Sequence, residues 1–217
     1  MDLEKARSNM IEQQIRPWAV SESEVLELLR QVPREEFVSE AQRSLAFADL
    51  SLPIGHGEIM WQPKIEARVL QALAPQADER ALEIGTGSGY LTALLASAAG
   101  KVTSIDLYSD FLELTATRLR AQHIDNVSLK EGDGAQGWAT ATQWDLIVLT
   151  GSVSVLPESY RQSLAPGGRL IAIMGQEPVM EAMLYTHKWD GHWTEQSLFD
   201  TSLPPLLNIS HPDKFVF

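Results

Sequence analysis

Three observations predict an α/β fold built on a doubly wound, mostly parallel sheet. Between Arg80 and Gly175, five short apolar runs (81–84, 102–105, 127–129, 146–149 and 170–174) alternate with helical patterns. That alternation indicates parallel strands with helices covering both faces. A glycine-rich turn, Gly85-Thr86-Gly87-Ser88-Gly89, lies where the first run hands over to a helix, the edge at which such sheets bind ligands. A length of 217 residues suits one large domain rather than two.

The elements follow in order within a single domain, 1–217. Residues 1–78 read as a helical cover with a loop. Ser21 and Glu24 stand at capping-box spacing before Val25, Leu26, Leu28, Leu29 and Val32, and Pro33 stops that helix. Residues 48–57 carry a proline and two glycines and read as a loop. Pro63 suits the first turn of a helix with Ile65, Val69, Leu70 and Leu73 on one side. Residues 79–177 are the ligand-binding strand–helix core. There Leu91, Leu94, Leu95 and Ala98 make one helical stripe ending at Gly100, and Leu112, Ala116 and Leu119 make the next. Residues 91–98 read as core. Residues 178–217, with Gly191 between two Trp-containing stretches and prolines beyond, read as a closing β elaboration, a hairpin or edge strands.

Composition narrows the function. With 29 acids against 17 bases the chain stands at −12, which argues against a general nucleic-acid binder, since phosphates need a basic surface. The absence of cysteine excludes disulfides, thiolate metal sites and a cysteine nucleophile. No apolar stretch reaches the roughly 20 residues of a membrane helix, and the first residues lack signal-peptide order, so the expectation is a cytoplasmic protein without a membrane partner. The five histidines (His56, His123, His187, His192, His211) show no metal-ligand spacing and are read as surface or turn residues, with no metal site expected.

Three strand-end turns carry the chemistry. The first is Leu82-Glu83-Ile84-Gly85-Thr86-Gly87-Ser88-Gly89-Tyr90. Its G-x-G-x-G spacing is not the G-x-G-x-x-G of dinucleotide sites, which disfavours a dehydrogenase, nor is it a phosphate-binding Gly-Lys-Ser/Thr loop. Asp106 ends the second strand, where a carboxylate can accept both hydroxyls of a ribose. Glu131-Gly132-Asp133-Gly134 follows the third. There Asp133 can accept from an exocyclic amine while the Gly134 backbone donates to a ring nitrogen. Each turn alone is ordinary turn chemistry. Together they suit the parts of one nucleoside cofactor.

The sequence here resembles the S-adenosylmethionine-dependent methyltransferases, whose first motif looks like Glu83 to Gly89 and is followed by a ribose acid like Asp106. Along nearly the whole chain it is similar to the protein-L-isoaspartate O-methyltransferase family. The similarity rests on Gln31-Val-Pro-Arg-Glu-Glu-Phe-Val38, residues 46–49, Leu52-Pro-Ile-Gly-His-Gly57, Gln62-Pro63, residues 82–90, Gly132-Asp-Gly134, residues 144–150 and Gly167-Gly-Arg-Leu170. The resemblance implies a Rossmann-like class I methyltransferase with S-adenosyl-L-methionine as cofactor and S-adenosyl-L-homocysteine as product. Its acceptor would be an isoaspartyl-containing protein or peptide. Cofactor contacts would come from Glu83, Gly85, Thr86, Gly87, Ser88, Gly89, Asp106, Leu107, Asp133 and Gly134. The substrate region would hold Ile59, Met60, Trp61 and Thr150.

The family pattern breaks after Gly57, where Gln-Thr-Ile-Ser becomes Glu58-Ile59-Met60-Trp61. The family's serine position is Trp61, its threonine falls on Ile59 and a common histidine on Glu66, so no catalytic residue is assigned. Near the C-terminus Arg-Phe-Val-Pro-Leu becomes Ser202-Leu-Pro-Pro-Leu206, and an arginine is lost. Unpaired acids at Glu58 and Glu66 would repel a carboxylate if they faced the pocket, and Trp61 reads equally as a pocket wall or a packing residue. Three functions therefore compete: isoaspartyl carboxyl methylation, methylation of a smaller or more apolar unidentified acceptor, and a cofactor-binding module without transfer.

Overall fold

The computed structural model describes residues 2–138 and 143–209. The N-terminal cover opens with α1 (Leu3–Met10), capped by the Asp2 carboxylate, which accepts from Lys5 N. After it come a π-helical turn and a 3-10 turn that ends at Ala19 in the left-handed region. Helix α2 (Ser23–Gln31) buries Val25, Leu26 and Leu29 and stops ahead of Pro33. The capping box does not form. Its N-cap is Glu22, without a side-chain bond, and the free N–H groups of Ser21 and Glu22 instead donate to Gln71 Oε1 at 2.8 and 3.1 Å. A partner from another helix satisfies what the local motif would have.

The segment read as a loop is half strand. Residues Leu52–Gly55 (β1) pair antiparallel with Glu58–Met60 (β2), and Gly55, His56 and Gly57 turn between them with φ of 111°, 53° and 83°. Helix α3 (Pro63–Leu73) then starts on Pro63 as expected.

The apolar runs become β3 (Arg80–Ile84), β4 (Lys101–Asp106), β5 (Val127–Glu131), β6 (Trp144–Val153) and β7 (Leu164–Gln176). Between them run α4 (Tyr90–Ala98), α5 (Ser109–Ala121) and α6 (Glu158–Ser163). Strands β8 (Val179–His187) and β9 (Trp193–Thr201) close the chain as an antiparallel hairpin turning at Gly191. The seven-stranded sheet has the order β5-β4-β3-β6-β7-β8-β9 and is parallel from β5 to β7. Winding runs outward from β3 to β5, then returns to β6 on β3's other side, so the carboxyl ends of β3, β4 and β6 flank a switch point. Residues 91–96 are buried as core, but Ser97 is exposed, its hydroxyl donating to Ala93 O. Among the described residues no helix is long and apolar enough to cross a membrane, and no three metal-ligating side chains cluster.

Candidate active site

A cavity opens at the switch point. Its floor is the strand-end turns, and its walls are the β1–β2 hairpin and residues 204–207. The glycine turn is held by the neighbouring strand: Gly85 N and Thr86 N both donate to Ile105 O, at 2.8 and 3.2 Å. At Gly85 (φ 97°) a Cβ would fall 2.0 Å from Thr150 Oγ1, so only glycine fits. That hydroxyl lies 2.8 Å from Ile84 O and 2.9 Å from Gly85 O and pins the turn from β6. Gly87 N donates to Asp106 Oδ2 at 2.9 Å, and Tyr108 N donates to Oδ1 at 3.0 Å. Each Asp106 oxygen thus keeps lone-pair capacity for a ligand.

Glu83 is fully buried. Its Oε2 accepts from Thr92 and Ser104 at 2.5 and 2.6 Å, while Oε1 has no partner. Burial pushes its carboxyl up to about 8, against the pull of those two hydroxyls. Asp133 accepts from Ala135 N at 2.8 Å and from Asn208 Nδ2 at 2.9 Å, and Gly134 O accepts from the buried Tyr160 hydroxyl.

Nine of the ten expected cofactor residues line this cavity: Glu83, Gly85, Thr86, Gly87, Ser88, Asp106, Leu107, Asp133 and Gly134. Gly89 does not. It caps α4 at φ 81°, where a Cβ would come within 2.5 Å of Thr115 Oγ1, so it serves the packing of α4 against α5. Ile59, Met60, Trp61 and Thr150 line the same cavity. Trp61 is a wall residue. Its indole is buried, and its N–H donates to Thr150 O at 2.9 Å.

Glu66 also reaches the cavity but is not unpaired. It forms a buried ion pair with Arg34, whose other nitrogens donate to Ala46 O and Trp61 O and whose guanidinium lies 4.9 Å from the Tyr90 ring centroid. Burial pushes Glu66 up, to about 8, against Arg34's attraction. The cover thereby grips the backbone of Trp61 from behind. Ser202, at the lost arginine, bonds Glu177 on the surface.

Of the histidines, His56, His123 and His192 occupy turns or the surface as read. His187 is half-buried on β8, stacked on Trp193, and His211 lies outside the described residues. Sequence reasoning missed Ile54, Tyr108 and Phe111 and the returning residues 204–207. An aromatic pair directly after the ribose acid was a usable signal for Tyr108 and Phe111. Nothing local marked the C-terminal return.

Among the described residues the lining holds five carboxylates (Glu58, Glu66, Glu83, Asp106, Asp133) and no lysine, arginine or histidine. With the orphaned Glu83 oxygen and a cradle that a Cβ would fill, it fits a cationic nucleoside ligand bearing an ammonium and a diol.

The family described as Protein-L-isoaspartate(D-aspartate) O-methyltransferase (PCMT) matches residues 5–208. The chain belongs to that family. Protein-L-isoaspartate O-methyltransferase 1 of Rhodopseudomonas palustris (strain HaA2) is 43% identical over 171 residues, covering 79% of this chain and 70% of the relative. The enzyme of Pseudomonas paraeruginosa (strain DSM 24068 / PA7) is 35% identical, covering 96% and 98%. A Plasmodium falciparum crystal structure named for the same enzyme, in complex with S-adenosyl-L-homocysteine, shares the fold at a TM-score of 0.79 and 21% identity, covering 95% of this chain and 98% of that one. As a PCMT family member the chain is an S-adenosylmethionine-dependent O-methyltransferase. The non-enzymatic module the sequence left open is set aside.

Proposed function

We propose that this chain, acting in the cytoplasm, methylates the side-chain carboxylate of an isoaspartyl residue in a damaged protein or peptide. The observation that carries the reading is the family match over residues 5–208, which includes both the cofactor turns and the wall around Trp61. The matches lend no support to the small-molecule acceptor.

When bound, S-adenosylmethionine supplies a methyl carbon on a cationic sulfur, which an acceptor carboxylate takes as the carbon–sulfur bond breaks and its electron pair stays on sulfur. The acceptor is ionised at pH 7, with a reference pKa near 4, so no general base is required of the protein. What the chain must do is hold and orient, an effect that can supply roughly 7–11 kcal/mol. In this reading Glu83 Oε1 takes the ammonium, Asp106 the ribose, and Asp133 and Gly134 the adenine edge. Thr150 fixes the glycine turn from one side. Ile59, Met60, Trp61 and Leu206 keep water from the transfer point. Because the Trp61 N–H is already committed to Thr150 O, the wall presents shape rather than a hydroxyl.

Methyl transfer from S-adenosylmethionine to an isoaspartyl peptide, beside its normal aspartyl counterpart, tests this. Selective labelling of the isoaspartyl peptide is expected. No transfer by a folded protein that binds S-adenosylhomocysteine would overturn the acceptor assignment.

A further inference from the structure

One cavity group has no task in methyl transfer as described. Glu58 opens β2, half-buried, and its carboxylate makes no hydrogen bond to any described residue. Its position follows from the hairpin tip. The His56 ring stacks on Tyr108 with centroids 3.9 Å apart and planes 7° off parallel, meets Phe111 edge-on at 5.2 Å, and sets Nε2 2.9 Å from Asp110 Oδ2. Tyr108, Asp110 and Phe111 all belong to the segment leaving Asp106. The tip is therefore docked on the strand end that carries the ribose acid, and Glu58 faces the same space from the opposite wall.

The electrostatics agree with that placement. Burial first, then the charge of Asp106, hold the Glu58 carboxyl above its ordinary range, with His56 pulling the other way. Among the described residues, none that lines the cavity is a cation that could neutralise the two acids. Each Asp106 oxygen is already engaged by one backbone N–H. A ligand seated between Glu58 and Asp106 has to bring hydrogen-bond donors, and a vicinal diol brings two.

We propose that Glu58 is a second ribose-binding carboxylate, closing from the hairpin so that Asp106 and Glu58 each accept from one hydroxyl of the diol. The proposal rests on reading the cavity as the methyl-donor site. It makes the β1–β2 hairpin a reader of the sugar as well as a cover.

Titration calorimetry on the full chain, with S-adenosylhomocysteine and its 2′-deoxy and 3′-deoxy analogues, tests it in the native protein, Glu58→Ala and Glu58→Gln. The native protein should lose affinity when either hydroxyl is removed. Glu58→Ala should bind S-adenosylhomocysteine about tenfold more weakly and become indifferent to the loss of one particular hydroxyl. Glu58→Gln, whose amide oxygen still accepts, should fall in between. Unchanged affinity in Glu58→Ala would overturn the proposal. So would equal weakening toward all three ligands, which would indicate hairpin packing. If Glu58→Ala does not fold, Glu58→Gln decides: a smaller penalty for one missing hydroxyl supports the contact, and native-sized penalties for both refute it. Native binding of S-adenosylhomocysteine is the separate check on the donor site, and its absence overturns both readings.

Discussion

On the sheet side of the cavity, polar atoms are engaged with one another across neighbouring strands. Ile105 O takes two N–H groups of the glycine turn, Asp106 takes N–H groups of Gly87 and Tyr108, and Thr150 pins the carbonyls of Ile84 and Gly85. On the opposite side the walls are mostly apolar: Ile54, Ile59, Met60, Trp61, Pro204, Pro205 and Leu206. Their positions are set by Arg34, which bonds the Trp61 carbonyl from behind while paired with Glu66, and by Ser152 exchanging backbone bonds with Pro204 and Leu206. One wall recognises by hydrogen bonds that parallel-sheet geometry makes available. The other recognises by shape and exclusion of water. Changes to the first, and to Glu58 on the hairpin, should alter cofactor affinity, while changes to the apolar residues of the second should alter which acceptor is held.

The largest expected effect breaks the apolar wall from behind. Arg34→Ala leaves the Glu66 carboxylate buried without its partner, and losing one member of such a pair costs about 3–5 kcal/mol. Denaturant unfolding should show that loss, and a change under about 1 kcal/mol would mean the pair does not hold the cover. Gly85→Ala comes next, on the sheet side. Left-handed backbone and a Cβ 2.0 Å from Thr150 Oγ1 should weaken S-adenosylhomocysteine binding by more than about a hundredfold. Calorimetry showing near-native affinity would remove the glycine turn from the site. Asp106→Ala should weaken the same ligand by at least about tenfold with the melting curve little changed. Unchanged affinity there would end the ribose assignment and, with it, the contrast between the two walls.

That contrast also explains what could be read from the chain. The five strands, the glycine turn, Asp106 and Asp133 were legible because each is a local pattern: an apolar run, a turn, an acid at a strand end. Gly89 shares the G-x-G-x-G spacing but lies off the cavity lining, where Thr115 on α5 leaves no room for a Cβ. The apolar wall is made by contacts between distant segments. The Trp61 N–H meets the carbonyl of Thr150, and the Ser152 hydroxyl meets Leu203 O. No window along the sequence contains both partners of either bond. The resemblance located Trp61 at a site position, but only the fold shows the indole committed to a backbone carbonyl and Glu66 to Arg34.

The smallest effect is the one that separates the acids of the cavity. Glu83 keeps its proton up to about 8 in the folded chain, against an ordinary value of 4.5. The unfolded chain releases that proton first, so this group makes unliganded stability fall as pH rises between those values. A ligand ammonium beside Oε1 reverses the preference, because it favours the ionised carboxylate. Binding near neutral pH must then expel a proton, and S-adenosylhomocysteine affinity should rise several-fold from pH 6.5 to 7.5, just under the roughly tenfold per unit of one fully linked proton. Calorimetry in buffers of different ionisation heat should register the release. Glu66 is raised to a similar value, but its Oε2 is tied to Arg34, whose buried cation stays beside it with or without a ligand. Glu83→Gln should therefore flatten the pH dependence on its own. A slope that survives in that variant would transfer the ammonium contact away from Glu83 and make one of the other cavity acids the cation's partner.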